Sequence, residues 1–382
     1  MSYTPHSMIP LSDNYIDEAD VRAVSSVVKS GWFTEGEKVS EFQSAFAKYV
    51  GTKHAIAVNS CTSALHLALA AVNIKDGDKV IVPSLSFVAT ANCVLYQHAK
   101  PVFAEIDPKT YCMDPNDVQE KIDTKTKAII PVHFAGHPAN MKPLMELAED
   151  YHLKVIADCA HAVGALYKSN KIGSLGDVGC FSFFSNKNMT TGEGGMITTN
   201  ADEIARKVSL MKSHGMSKSQ WEKYQQTSWR YDVIALGFNF RMNEMQAALG
   251  ITQLEKLDHM NELRMRNASR YTRLLKNKYI VTPYVMKDVK HVFYLYVIRL
   301  AEQVRASRDQ VVEKLKHMNI YAGVHYPPIH LFSFYRNKFG CQEGELPVTE
   351  EISKRVISLP MHQKLSDEEI DYVAKELIEL IC

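Results

Sequence analysis

The chain has 382 residues, with 44 Lys+Arg against 43 Asp+Glu and a formal charge of +1. That length suggests two or three lobes and a core that needs neither disulfide nor structural metal. A balance this even, with no basic block, argues against nucleic acid as a partner. The opening "MSYTPHSMIPLSDNYIDEAD" lacks a basic start followed by an apolar core, so no signal peptide is expected. No run of about 20 apolar residues exists to cross a bilayer. The seven cysteines (Cys61, Cys93, Cys112, Cys159, Cys180, Cys341, Cys382) are odd in number and show no CxxC spacing. Reduced, buried thiols in a cytoplasmic protein are the expectation.

In chain order, "HAIAV" (54–58), "KVIV" (79–82), "PVFAEI" (101–106), "AIIPV" (128–132), "KVIAD" (154–158), "GCFSF" (179–183) and "GMITT" (195–199) read as strands. Helical stretches such as "SALHLALAAV" (63–72) and "MKPLMELAEDYH" (141–152) lie between them. This alternation predicts an α/β fold, a mainly parallel central sheet flanked by helices. Ligands of such sheets gather at the carboxyl ends of the strands. "RMNEMQAALGITQLEKLDHMNELRMRN" (241–267) reads as one long amphipathic helix. It closes a large domain, 1–255, and leads into a smaller C-terminal α+β domain, 256–382. In the latter, 292–300 reads as a strand, and 307–318 and 366–381 as helices, with Ser366 and Glu369 forming a capping box.

Chemistry-bearing residues collect at the strand ends. In "AVNSCTSALHLAL" (57–69) a strand runs into the start of a helix, whose unpaired N–H groups and dipole favour an anion. Thr62 and Ser63 are there either to bind a phosphate or simply to cap the helix. In "PSLSFVATAN" (83–92), Phe87 is a platform for a flat ring or a core aromatic. Asp158 ends the buried strand of "KVIADCAH" (154–161), where a carboxylate is costly unless paired. It either holds a protonated ring nitrogen or caps the next turn, and His161 follows three residues later. In "SFFSNKNMTTGEGG" (182–195), Lys187 sits between an apolar strand and a glycine-rich turn. An enclosed lysine can present a free amine as nucleophile and form Schiff bases.

A helix N-terminus for phosphate, an acid for a ring nitrogen, an aromatic for a ring face and an amine for an aldehyde together describe pyridoxal 5'-phosphate (PLP). The pieces 31–51, 59–71, 86–107, 158–167, 181–200, 237–250 and "SLPMH" (358–362) resemble, in that order, the DegT/StrS-type PLP-dependent nucleotide-sugar aminotransferases of fold type I. The resemblance implies that Lys187 is the Schiff-base lysine and proton carrier and that Asp158 pairs with the pyridine nitrogen. It further implies that Phe87 stacks on the ring, that His161 lies near the phenolic oxygen and that Thr62, Ser63 and Ser182 hold the phosphate. Asn239 resembles the asparagine that reaches the phosphate of a neighbouring subunit, implying a homodimer with shared active sites.

Two positions depart from the family pattern: Cys61 replaces the usual glycine of "NSGT", and His161 the more frequent glutamine. The implied reaction moves an amino group from an amino acid such as glutamate to a nucleotide-linked keto-sugar. His133, with His137 close by, and His325, Tyr326 and His330 are expected as sugar-nucleotide contacts, with Trp32 and His214 as weaker candidates. The non-helical HxxxH at 133–137 gives no metal site. Rival readings are a PLP-dependent sugar dehydratase, which would replace the lysine with histidine, and a cyclitol-ketone aminotransferase. A nicotinamide-dependent dehydrogenase needs a GxGxxG fingerprint that is absent.

Overall fold

A computed structural model describes residues 5, 7–217 and 229–381. The strands β1 (His54–Val58), β2 (Lys79–Pro83), β3 (Lys100–Ala104), β4 (Thr126–Ile129), β5 (Lys154–Asp158), β8 (Val178–Ser182) and β9 (Gly195–Thr199) form a seven-stranded sheet. Its order is β1-β9-β8-β5-β4-β2-β3. Only β9 is reversed, pairing antiparallel with both β1 and β8. Between β5 and β8, the hairpin β6 (Leu166–Tyr167) and β7 (Asn170–Lys171) pairs with β11 (Val289–Lys290).

Strand alternation divides the core into two layers. Val80, Val82, Ile156 and Cys180 face one layer, with helix α3 (Cys61–Ala71) packed on it. Ile81, Val155, Ala157 and Phe181 face the other, where Phe42 and Phe46 of α2 (Glu37–Val50) interlock with Phe183. The start of α2 is built from a distance. Its N-cap, Gly36, has no side chain to cap the helix, and the buried Glu244 carboxylate accepts the N–H groups of Gly36, Lys38 and Val39, each at 2.9 Å.

The stretch expected as one helix at 241–267 is two, Glu244–Glu255 and Leu257–Leu274, broken at Lys256. The Lys256 amine is drawn to Asp17 and the buried Asp20, which also accepts from Thr252 and Gln253. Beyond Lys256, β10 (Ile280–Val281), β12 (Tyr296–Leu300) and β13 (Val356–Leu359) form a small antiparallel sheet. It shares a core with helices Arg308–His317 and Asp367–Ile381. The latter begins with Ser366 and Glu369 in reciprocal capping bonds. Ile329 and Tyr335, however, pack into the core of the large sheet.

β12 starts at Tyr296, four residues later than the sequence suggests. The preceding loop is pulled elsewhere: the N–H groups of Val292 and Leu295 donate to the carbonyls of Gly136 and Ala135, both at 3.2 Å. The six described cysteines are unpaired, and Cys382 lies outside the described residues. No helix among the described residues is long and apolar enough to cross a membrane.

Candidate active site

The carboxyl ends of β1, β2, β5 and β8 open on a cavity of about 390 Å³, whose walls include Thr62, Phe87, Asp158, His161, Ser182 and Lys187. His325 and Tyr326, from the segment after helix Arg308–His317, also line it. The anion-favouring corner is the first turn of α3. Ser60 caps it, accepting the Ser63 N–H at 3.1 Å. The Cys61 and Thr62 N–H groups have no acceptor within the helix. β9 runs hard against this turn: a Cβ on Gly195 would stand 2.5 Å from the Ser60 carbonyl carbon and oxygen. Gly192, in the loop before β9, has a φ of +79°, a conformation that favours glycine. Burial pushes the Cys61 thiol well above its usual range. Ser63, also expected at the phosphate, is placed differently from Thr62. It is buried, its hydroxyl donates to Asn59 Oδ1 at 2.7 Å, and it does not line the cavity.

Asp158 ends β5 inside the cavity wall and is 6% exposed. Its Oδ2 accepts from the Thr90 hydroxyl at 2.9 Å and its Oδ1 from the Ala160 N–H at 3.1 Å. Burial raises its pKa, opposed by those two bonds and by the field of Lys187. The carboxylate has no ion-pair partner within 4 Å among the described residues, so its charge lacks the cation such a site calls for.

Lys187 is half-buried, between Phe184, whose carbonyl accepts its N–H at 3.0 Å, and the glycine turn. Its amine lies 4.2 Å from the centre of the Tyr294 ring. The Tyr294 hydroxyl donates to Asn186 Oδ1 at 3.1 Å, and its carbonyl accepts from the buried Arg264. Desolvation lowers the Arg264 pKa to about 10. His161 packs on the same Tyr294 ring at 4.4 Å, and Phe87 stands at the rim, 56% exposed. His325 is fixed through Nδ1 by the Ser358 hydroxyl at 2.8 Å, and its pKa is lowered to about 4 by burial and by Lys187.

Several expected contacts lie outside the cavity. His133 is fully buried, its Nδ1 accepting the Ala139 N–H at 3.0 Å, and burial, with His137, lowers its pKa to about 3. His330 is sealed between Ser84, 2.7 Å from its Nδ1, and Glu350, 3.1 Å from its Nε2. Both rings are buried in the core: His330 has a partner on each nitrogen, while His133 has one on Nδ1 and none on Nε2 among the described residues. Trp32 packs against Gly36 at the start of α2. His214 and Asn239 are exposed and do not line this cavity. The structure also brings in Tyr294, Asn186 and Thr90, for which sequence reading offered no role. Tyr294 was hidden in an apparent strand, although the aromatic run "FYLY" (293–296) exceeds what strand periodicity requires.

A phosphate finds amides and hydroxyls at Thr62, Ser60 and Ser182. A protonated ring nitrogen finds the unpaired buried carboxylate of Asp158, and an aldehyde finds the Lys187 amine. The residues fit PLP. Comparison with known proteins agrees. The chain is 41% identical over 348 residues to the GDP-perosamine synthase of Caulobacter vibrioides, covering 91% of each. It is 40% identical over 377 residues to the spore coat polysaccharide biosynthesis protein SpsC of Bacillus subtilis, covering 98% of this chain and 97% of SpsC. Spr1654 of Streptococcus pneumoniae, solved in PMP and PLP forms, superposes with TM-scores of 0.93 and 0.92 at 30% and 29% identity. Coverage is 97% of this chain and 98% of Spr1654 for the first form, and 98% of both for the second. The DegT/DnrJ/EryC1/StrS aminotransferase family matches residues 14–378. The chain therefore belongs to that family and is a PLP-dependent transaminase.

Proposed function

We propose that this transaminase takes the amino group of an amino acid, L-glutamate in the first instance, and delivers it to a nucleotide-linked keto-deoxysugar. The product is an amino sugar for a surface glycan or a related polymer. The observation that carries this reading is the pairing, in one cavity, of the buried and cation-free Asp158 with the Lys187 amine. The names of the relatives, a GDP-perosamine synthase and a spore coat polysaccharide protein, support the sugar side.

PLP, when bound, supplies an aldehyde for amines and a ring that withdraws electrons from the reacting carbon. Thr62, Ser182 and the first-turn N–H groups of α3 hold its phosphate. Ser63 acts indirectly, by fixing Ser60 and Asn59. Asp158 keeps the ring nitrogen protonated, and Phe87 covers the ring face. The Lys187 amine would hold the aldehyde, and would carry the proton to and from the substrate carbon as general base and acid. His325 and Tyr326 meet the substrate from the small domain.

A second copy completes the site. Asn239 of the partner subunit reaches the phosphate, a reading supported by the exposed apolar stretch leading up to it: Trp229, Val233, Ile234 and Leu236 are 81%, 58%, 59% and 84% exposed. The experiment is an absorbance spectrum before and after glutamate, followed by a panel of nucleotide keto-sugars. A glutamate-dependent loss of the visible band and turnover of one such sugar are expected. Turnover with keto acids alone would sink the sugar assignment.

A further inference from the structure

His161 is fully enclosed, and both ring nitrogens have partners. Nδ1 accepts the Ala135 backbone N–H at 3.3 Å, and Nε2 lies 3.2 Å from the Tyr326 hydroxyl. A nitrogen that accepts an N–H carries no proton, so the ring is neutral and its one hydrogen sits on Nε2. Burial, with the fields of Lys187 and His325, pushes its pKa well below the usual range, in keeping with this tautomer. The Nε2–H therefore donates to the Tyr326 oxygen. The Tyr326 hydroxyl hydrogen must then turn elsewhere, and no protein acceptor meets it among the described residues. Tyr326 lines the cavity, with its ring 6.2 Å from Phe87. Its backbone is pinned as well, its carbonyl accepting from Ser353 Oγ at 2.8 Å.

We propose that the Tyr326 hydroxyl, oriented by the Nε2–H of His161, is the hydrogen-bond donor to an oxygen seated in the cavity. His161 is thus a positioning residue that acts through Tyr326, and does not itself donate to the bound molecules. The inference rests on the transaminase reading for the identity of that oxygen, which belongs either to the cofactor ring or to the sugar. The pair itself is a property of the protein alone. The charged and titratable groups facing it are Lys187, His325, Tyr294 and Asp158.

Nitrogen-15 NMR of the cofactor-free protein reads the tautomer directly. His161 is expected as the Nε2-protonated form, unchanged from pH 6 to pH 8. An Nδ1-protonated ring, or one that titrates in that range, would overturn the proposal. In the loaded protein, Tyr326→Phe distinguishes the two oxygens. If the acceptor is the ring oxygen, the pH at which the visible band titrates rises by roughly one unit, a roughly tenfold change. If it is a sugar oxygen, the band stays and KM for the sugar rises about 3- to 10-fold with little change in kcat. Neither change would refute the donor role. His161→Leu should reproduce whichever effect Tyr326→Phe shows, and His161→Gln, which keeps a donor, should largely restore it. Equal behaviour of the Leu and Gln variants would refute the relay. Failure of every nucleotide sugar to react would defeat the proposed substrate while leaving the tautomer result standing.

Discussion

Asp158, in the cavity wall, is bonded to the fully buried Thr90, which donates its hydroxyl to the carboxylate at 2.9 Å while the Ser86 hydroxyl sits 2.8 Å from that of Thr90. Thr90 and the Ala160 N–H, both neutral donors, hold the carboxylate in place but do not neutralise it. The protein thus keeps a costly buried charge aimed at the place where a cation will sit, which makes the site a source of instability until it is filled.

That cost is measurable. The folded-state pKa of Asp158 is raised, so the cofactor-free fold binds a proton more readily than the unfolded chain does. Its contribution to stability falls as pH rises through the ordinary carboxylate range and stays unfavourable above the raised value. Asp158→Asn should therefore stabilise the cofactor-free protein near pH 7.5, by roughly 1 kcal/mol. The gain should vanish as pH falls below the ordinary aspartate range. Transamination by the variant should drop by about 10²-fold or more, as for loss of a preorganised electrostatic group. Thermal unfolding at several pH values and steady-state rates check the two halves.

Lys187→Ala should abolish transfer while leaving the fold unchanged. Its amine contacts the Tyr294 ring but makes no ion pair within 4 Å among the described residues. The stability loss should stay below about 1 kcal/mol, the scale of one such ring contact. Circular dichroism and turnover measured on the same preparation separate fold from function.

His330 tests the opposite case. Enclosed by Ser84 and Glu350, it should cost about 2–4 kcal/mol when replaced by alanine, because each of them would lose a buried partner and the ring would leave a cavity. KM for the sugar should hold, since the ring does not line the cavity. Burial works against the Glu350 charge, but the Gly344 and Leu346 N–H groups and His330 hold its pKa below the usual range. Its stabilisation is complete above the ordinary glutamate range and is lost as pH falls through the depressed value. Denaturant titrations at pH 7 and pH 4 report the difference.

Glu244→Ala should destabilise the fold by about 2 kcal/mol, since three N–H groups at the head of α2 lose their common acceptor. Glu244→Gln should recover part of this. Leu236→Asp, which places a charge on an 84% exposed apolar residue, should shift a dimer toward monomer in sedimentation and weaken cofactor retention if the sites are shared. A variant that stays dimeric at micromolar concentration would remove this segment from the interface.

The sequence by itself determined the sheet of parallel strands, because alternation and strand-to-helix spacing are properties of short windows. It also determined that Asp158 ends a strand and that Thr62 and Lys187 lie just past strands, since each follows an apolar run within four residues. What tertiary structure decided was which side chains share the cavity. His325 and His330 stand five residues apart with similar polar promise, yet Ser358 holds one at the cavity while Ser84 and Glu350 draw the other into the core. Tyr294 became a platform for Lys187 only because the Ala135 and Gly136 carbonyls pulled its loop out of a strand. Glu244 caps a helix whose start lies 208 residues away. Such contacts depend on where distant segments come to rest, and no local pattern of hydrophobicity or propensity encodes that position.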